Sequence, residues 1–250
     1  LHLTTNTKSN DTIMIQKFLY LEWKAFIRSA SFGGNLAIKI LMGFLAVYFT
    51  LVFLIVGIGA FYILKELHLD PMVTINKYLI YYFLFDLIIR LLLQKIPVMN
   101  IRPLLVLPIK KPTIVHFSLG KTVLSFFNFV HAFLFLPFSI VLIYKGYDVL
   151  SVILWHTAMV CLIYTNNFVN IVLSNKDNLL AVFVGIAAVF GGLQYYGFFD
   201  ITSYTGPFFD ALFNTYWAFV IPIMVLIGLY CYTFEYFKND LYLDAGLSRK

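Results

Sequence analysis

Two opposite charges, Asp86 and Arg90, lie within an otherwise apolar stretch that reads YLIYYFLFDLIIRLLL. Their spacing of four residues places them on one face of a helix, with the acid on the N-terminal side, where the two side chains can form an ion pair. Charged side chains in membrane helices are costly and usually face other helices. Two interpretations stay open: an internal ion pair of the bundle, or a gate or substrate contact.

Neutral polar side chains form a second group of candidates within the apolar stretches. Asn128 and His131 share one helix face, and three asparagines lie near the end of a later stretch. Hydrogen bonds between helices account for such residues, and a polar translocation path is the alternative. The candidate residues for this path are Asn128, His131, Asn166, Asn167 and Asn170.

Catalysis and metal binding find less support in the sequence. No acidic residue accompanies an intramembrane histidine at the spacing of metal ligands, so we predict neither a metal site nor a cofactor. The chain has no G-x-S-x-G elbow and no H-E-x-x-H helix, the signatures of two large hydrolase classes. A site built from Asp86, Asn128 and His131 would require their helices to meet at one depth. We therefore expect that the chain is not an enzyme.

The elements that carry these residues are predicted from composition. Only 12% of the 250 residues are charged and 61% are hydrophobic, whereas a soluble domain has about 25% charged residues. A helix that crosses a membrane needs about 20 apolar residues. The chain offers six such stretches, at residues 40–64, 78–93, 123–144, 149–173, 179–199 and 216–234. The predicted fold class is all-α: a polytopic membrane protein with six transmembrane helices in one domain, residues 35–237, and no soluble catalytic domain.

The segments outside these stretches have distinct patterns. Residues 1–13 are polar and precede the first Met, so we expect them to be disordered or to lie upstream of the true start. Residues 14–34 place apolar side chains on one face and cations on the other, which predicts an amphipathic helix on the membrane surface. Residues 200–215 predict a short interfacial or re-entrant helix, and residues 238–250 a cytoplasmic tail.

The distribution of Lys and Arg predicts the orientation. The net charge is +6, and the connections on one side carry thirteen cations against Lys65, Lys77 and Lys145 on the other. Because cytoplasmic connections are enriched in Lys and Arg, both termini and residues 94–121 are predicted to be cytoplasmic, in the bacterial inner membrane. The cations do not form a soluble basic face with interleaved aromatic residues, so no nucleic-acid partner is expected.

The longest predicted cytoplasmic connection reads QKIPVMNIRPLLVLPIKKPTIVHFSLGK and is both basic and apolar. Its four prolines exclude a long helix, although a short one can begin near Pro112. The segment resembles the loop of ABC-type exporter permeases that forms the coupling helix and docks on the ATPase. That resemblance implies coupling roles for Arg102, Pro108, Lys110, Lys111 and Lys121.

A wider resemblance covers residues 14–237, where the order of surface helix, two spans, basic loop and four spans is similar to the type-2 exporter class. The segments LEWKAFIRSASFGGNLAIKILMGF and LLQKIPVMNIRPLLVLPIKKPTIVHFSLGK also resemble an uncharacterised Bacteroidota family of permease-like membrane proteins. In that family a second membrane half follows, so this chain resembles an N-terminal half.

The resemblance implies the transmembrane subunit, or half of one, of an ABC-type exporter. Its partners would be membrane lipids, a separate ATP-binding subunit, and a second copy or second membrane half. Gly120, Lys121 and Thr122 look like the end of a phosphate-binding loop, but Val115 occupies the position of the first glycine, so ATP must bind elsewhere. The alternatives are a membrane-embedded enzyme acting on lipid and a non-transporting envelope scaffold.

Overall fold

The computed structural model describes Tyr20, Lys24 and residues 36–94, 111–174 and 177–247. Nine helices and no strand are found in this part of the chain. They are α1 Leu36–Glu66, α2 Pro71–Leu93, α3 Lys111–Val123, α4 Phe126–Phe129, α5 Ala132–Tyr144, α6 Val149–Ser174, α7 Asp177–Tyr195, α8 Ile201–Asn214 and α9 Val220–Leu247.

Five stretches of helix are long and apolar enough to cross a membrane: Gly43–Glu66, Pro71–Leu93, Phe126–Tyr144, Val149–Ser174 and Val220–Asn239. The predicted span at residues 179–199 corresponds to a shorter apolar helix, Ala181–Tyr195. Large apolar side chains such as Phe44, Ile55 and Ile63 are exposed along α1, as expected of a surface in contact with lipid rather than water. The prediction of an all-helical, polytopic membrane protein is confirmed.

Three other predicted segments are only partly described. Of the predicted amphipathic helix at residues 14–34, Tyr20 and Lys24 are described and both are helical, with the Lys24 ammonium 5.5 Å from the centre of the Tyr20 ring. Residues 1–13 and 95–110 lie outside the described part. Most of the predicted tail at residues 238–250 is part of α9, because that helix continues to Leu247.

Helix α2 begins at Pro71, earlier than the predicted start at residue 78. The carboxylate of Asp70 accepts hydrogen bonds from the backbone N–H groups of Met72 (2.9 Å) and Val73 (3.0 Å). A proline directly after such a cap loses no helical hydrogen bond. At the other end of the chain, α9 begins at Val220 rather than at residue 216. Pro222 therefore falls in the first turn of α9, where proline is tolerated.

The predicted span at residues 123–144 is interrupted. α3 ends at Val123, the single turn α4 follows, and α5 begins at Ala132. The expected short helix near Pro112 is α3, which begins at Lys111. Pro137 lies inside α5.

α6 lies at the centre of the bundle and contacts helices α2 to α5 and α7 to α9. Its Trp155 is fully buried, with ring centres 5.9 Å from those of Phe135 and Phe138 on α5. α1 packs on α5, where Gly57 lets the two backbones approach so closely that any side chain there would clash with the carbonyl oxygen of Leu134. The bundle has two ends. We call the end that contains the last residues of α5 and the first residues of α6 the Lys145 end, and the end that contains the last residues of α2 the Gln94 end.

The short helix α8 is the predicted interfacial or re-entrant helix of residues 200–215, and it is integrated into the bundle. Its buried face carries Thr202, Gly206, Phe209 and Leu212, and it packs on α2 and α6 at the Lys145 end. Asn76 on α2 donates a hydrogen bond to Asp210 (2.9 Å) and accepts one from the Trp155 indole (3.0 Å). α8 is therefore bonded to the buried face of α2 near its first turns.

Candidate functional site

Asp86 and Arg90 form the ion pair that their spacing predicts. The Nε atom of Arg90 lies 2.8 Å from Oδ2 and 3.0 Å from Oδ1 of Asp86. Arg90 is fully buried and Asp86 is 6% exposed. Phe83 and Leu87 are buried on the same side of α2, so apolar packing turns this face of the helix inward and carries both charges into the bundle.

Arg90 is held further by the interrupted segment between α3 and α5. Its Nη1 donates to the side-chain oxygens of Asn128 (2.9 Å) and Gln94 (3.3 Å), and its Nη2 donates to the carbonyl oxygen of Phe127 (2.9 Å). Because α4 ends after one turn, its last carbonyls lack helical partners. The guanidinium therefore replaces the backbone hydrogen bond that Phe127 would make in a continuous helix.

His131 joins the same cluster. Its Nε2 lies 2.9 Å from Oδ1 of Asp86, and its Nδ1 is hydrogen-bonded to the hydroxyl of Tyr82. A neutral imidazole has one donor and one acceptor nitrogen. We assign the proton to Nε2, which donates to the carboxylate, so Nδ1 accepts from Tyr82. The longer contact from Arg90 Nη2 to Nε2, 3.3 Å, is then a close approach and not a second hydrogen bond.

Three asparagines of α6 complete the cluster. Asn166 donates to Asp86 Oδ2 (3.0 Å) and to the carbonyl of Phe83 (2.8 Å). Asn167 accepts from Gln94 (2.8 Å), while Asn170 donates to Gln94 (3.4 Å). The structure thus brings all five predicted path residues together with the predicted ion pair. We call the group the polar cluster; its members are Tyr82, Asp86, Arg90, Gln94, Thr122, Asn128, His131, Asn166, Asn167 and Asn170.

Three members of the polar cluster were not among the predicted residues. Tyr82 and Gln94 lie four residues before Asp86 and four after Arg90, so the helical spacing that predicted the pair also contains a signal for them. Thr122 accepts from Asn167 (2.9 Å) across 45 residues of sequence. Nothing in the sequence around Thr122 indicates that contact.

The polar cluster also fixes the end of α3. The side-chain amide of Asn128 donates to the carbonyls of Thr122 (2.9 Å) and Val123 (3.1 Å). α3 itself is amphipathic: it buries Ile114, Val115 and Leu119, while His116, Gly120 and Lys121 face outward. Of the predicted coupling residues, Lys121 is therefore exposed in the last turn of α3.

The remaining predicted coupling residues are less fully described. Arg102, Pro108 and Lys110 lie outside the described residues, and only the backbone of Lys111, the first residue of α3, is described. The Gly120, Lys121 and Thr122 triplet lies within a helix and does not form a phosphate-binding loop.

The hydrogen bonds determine what the polar cluster can do chemically. Asp86 accepts from Arg90, His131 and Asn166, and every nitrogen of the Arg90 guanidinium has an acceptor in the cluster. In this conformation the cluster crosslinks α2, α3, α4, α6 and His131, the residue before α5, and offers no unsatisfied guanidinium nitrogen to a substrate. Among the described residues, no three His, Cys, Asp or Glu side chains are placed to hold a metal ion.

Tyr82 lies between the polar cluster and an apolar cleft. The cleft has a volume of about 290 Å³ and is bounded by α1, α2 and α5. Of its twelve lining residues, only Thr74, Tyr78 and Tyr82 carry polar side-chain atoms. One face of the Tyr82 side chain thus contacts apolar space while its hydroxyl is bonded to His131.

The model of one protein family, described as "Family of unknown function (DUF5687)", matches residues 22–250. The matched region includes every helix described above, and the polar cluster and the cleft lie within it. No curated protein and no solved structure matches the chain.

Proposed function

We propose that this chain, which belongs to the family of unknown function DUF5687, is the transmembrane subunit, or half of one, of an ABC-type exporter. It would expose a cavity between paired halves alternately to the two sides of the inner membrane. A separate subunit would hydrolyse ATP at the cytoplasmic face, where we place the Gln94 end of the bundle and both termini.

One observation supports this proposal most directly: α3 joins the basic, proline-rich segment to the polar cluster. Residues 95–110 directly precede α3 in the sequence, and the last carbonyls of α3 accept hydrogen bonds from Asn128, which in turn accepts from Arg90. A partner docked on the basic segment would therefore act on the ion pair through two side chains. Contiguous hydrogen-bond networks of this kind can carry energetic coupling between two sites.

α3 also contacts the last helix. The His116 ring stacks on Phe234 with ring centres 4.2 Å apart, and its Nδ1 is hydrogen-bonded to the hydroxyl of Tyr230. A displacement of α3 would thus reach α9 as well as α2. An element at the cytoplasmic face that contacts both helices suits the transmission of movement from an ATPase.

The decisive experiment is purification of the full-length protein in mild detergent, followed by reconstitution and measurement of ATP turnover. Charge reversal at Lys110 and Lys111 should weaken ATPase binding or uncouple turnover, while recovery of folded protein stays unchanged. Reversal of Lys65 and Lys77, at the opposite end, is the matched control and should alter neither. Unchanged binding and turnover would exclude coupling through Lys110 and Lys111, and the absence of any ATPase with the wild type would overturn the proposal.

The orientation is tested separately by reporter fusions. A fusion near Lys110 should have no periplasmic phosphatase activity, because residues 94–121 are proposed to be cytoplasmic. Fusions at residue 176 and at Gly197 bracket the short helix α7 and should report opposite sides. If both report one side, α7 does not cross, and the two termini lie on opposite faces of the membrane.

A membrane-embedded enzyme acting on lipid is the second candidate, and one observation favours it. Tyr82, His131 and Asp86 form a chain of hydroxyl, imidazole and carboxylate, the order found where a base activates a nucleophile and an acid orients the base. The Tyr82 side chain also lines the apolar cleft. Conversion of a labelled phospholipid by the purified protein, lost in Tyr82→Phe, would establish this activity; no conversion by the wild type excludes it for that lipid.

A further inference from the structure

The geometry of the cleft points to a binding site for one acyl chain of a membrane lipid. The cleft extends along α1 from Val56 to Leu64 and along α2 from Thr74 to Tyr82. Eight residues of helix correspond to about 12 Å, so the space is elongated. This inference does not depend on the proposed transport function, because it concerns which molecule occupies the cleft.

The cleft exists because α1 and α2 are anchored to different neighbours. Gly57 fixes α1 against the backbone of α5 at Leu134. On α2, Asn76 is bonded to Asp210 of α8 and to Trp155 of α6. These anchors tie α1 and α2 to different neighbours, and the cleft lies between the two helices.

The chemistry of the walls selects the occupant. Nine of the twelve lining residues have no polar side-chain atom, and the hydroxyl of Tyr82 is already bonded to His131. Apolar cavities of this kind stay free of water and bind apolar molecules. Val56 and Tyr78 at the rim are 47% and 51% exposed, so the cleft opens between α1 and α2 to the membrane. Acyl chains are the abundant apolar molecules in that surrounding.

The charge at the Lys145 end of the cleft fits a lipid phosphate. Lys77 is exposed, and its ammonium lies 5.7 Å from the ring centre of Tyr78, a rim residue. Lysine side chains at this depth extend toward lipid headgroups. The carboxylate of Asp70 at the start of α2 is engaged in capping that helix, and Lys65 and Glu66 beside Leu64 offset each other in charge. The backbone of Lys77 packs on α8 at Gly206, so its ammonium is a cation beside the rim of the cleft, where a lipid phosphate can reach it.

Trp155 is a native reporter for occupancy. It lies behind Phe135 and Phe138, two residues of the cleft wall, at ring-centre distances of 5.9 Å. The chain has three tryptophans, so a Trp23→Phe/Trp217→Phe background leaves Trp155 as the single tryptophan. Bromine atoms on acyl chains quench nearby tryptophan. A bound chain in the cleft would lie one side-chain layer from Trp155.

The experiment reconstitutes this background in phosphatidylethanolamine and phosphatidylglycerol vesicles with brominated or ordinary chains. We expect bromination to quench Trp155, and Ala60→Phe, which fills the cleft, to reduce that quenching by half or more. Ala187→Phe on the exposed surface of α7 is the matched control and should leave quenching unchanged. Equal quenching in the background protein and in its Ala60→Phe and Ala187→Phe variants would overturn the inference. Such quenching would arise from lipid around the whole bundle and not from a chain in the cleft.

A second measurement on the unmutated protein guards against misfolding of Ala60→Phe. Phosphatidylglycerol with a photoreactive diazirine in its acyl chain is crosslinked and the labelled peptides are mapped. Labelling concentrated on residues that line the cleft, such as Leu64, Tyr78 and Leu134, supports the inference. Labelling spread evenly over exposed residues of α1, α7 and α9 refutes it.

Discussion

Replacing Asp86 by Asn keeps the shape of the side chain but removes the negative charge that faces Arg90. The arginine then retains only neutral acceptors, the side chains of Asn128 and Gln94 and the carbonyl of Phe127. Arg90→Gln is the converse change, which leaves the Asp86 carboxylate with His131 and Asn166 as donors. Each single change thus leaves one buried charge without its counter-ion.

The size of the effect follows from burial. Breaking a buried ion pair by removing one partner costs about 3–5 kcal/mol. The energies of polar contacts inside membrane proteins tend toward the low end of this range, because polar groups of the unfolded state in lipid also find hydrogen-bond partners. We therefore expect a loss of about 3 kcal/mol in the free energy of unfolding for each single variant. The double variant has no stranded charge and should fall short of the sum by about 0.5–3 kcal/mol.

The assay is reversible unfolding by SDS in mixed micelles, followed by helical circular dichroism, on the wild type and the three variants. The matched control is Glu235 and Lys238 on α9, an ion pair of 3.1 Å whose side chains are 57% and 32% exposed. Their neutralisation should cost only about 0.2–1 kcal/mol. Strict additivity at Asp86 and Arg90, or losses no larger than those of the control pair, would refute the argument that burial makes this pair costly to break.

Three further predictions use the same unfolding assay. Gly57→Ala should cost about 1–3 kcal/mol because the added methyl group has no room against α5, whereas Gly43→Ala, in open space, should cost nothing. Asn76→Ala should cost about 1–3 kcal/mol because it strands the buried indole N–H of Trp155. Hydrogen bonds from the hydroxyls of Ser203 and Thr202 lower the pKa of Asp200 to about 2. Because these bonds stabilise the charged carboxylate in the folded protein, Asp200→Ala should be less stable than the wild type at neutral pH. That difference should persist above the unfolded pKa of about 3.9 and disappear as the pH falls to about 2; a difference that is independent of pH would contradict it.

The positions of the spans were largely predictable because lipid imposes a length and a composition on any crossing helix. The start of α2 was not, since Thr74, Asn76 and Lys77 make its first turns look like a connection. Asn76 is tolerated there because α8 and Trp155 satisfy its amide, and those partners are remote in sequence. A hydropathy pattern contains no information about them.

The polar cluster was predictable within one helix and not between helices. The four-residue spacing predicted the contact of Asp86 with Arg90, and the asparagines and His131 were recognised as unusual in apolar stretches. Their meeting depends on the break between α3 and α5, where the sequence FFNFVHAFLF is apolar except for Asn128 and His131. The break is stabilised by Asn128 and Arg90, whose side chains donate hydrogen bonds to the backbone carbonyls of residues 122, 123 and 127. A hydropathy pattern does not show that side chains replace backbone N–H groups as donors to these carbonyls.

The placement of both charges on α2 has a consequence for biosynthesis. The chain is made from its N-terminus at about 5–20 residues per second, so Asn128, 38 residues after Arg90, follows about 2–8 s later. During that interval α2 has neither α5 nor α6 beside it, and charges in an inserting helix are costly, with about 2.5–3.5 kcal/mol as the value for one at the helix centre. Because Asp86 precedes Arg90 by one turn, the nascent helix already contains its own counter-ion. The order of synthesis therefore favours a self-neutralised α2, to which the later helices add their amides.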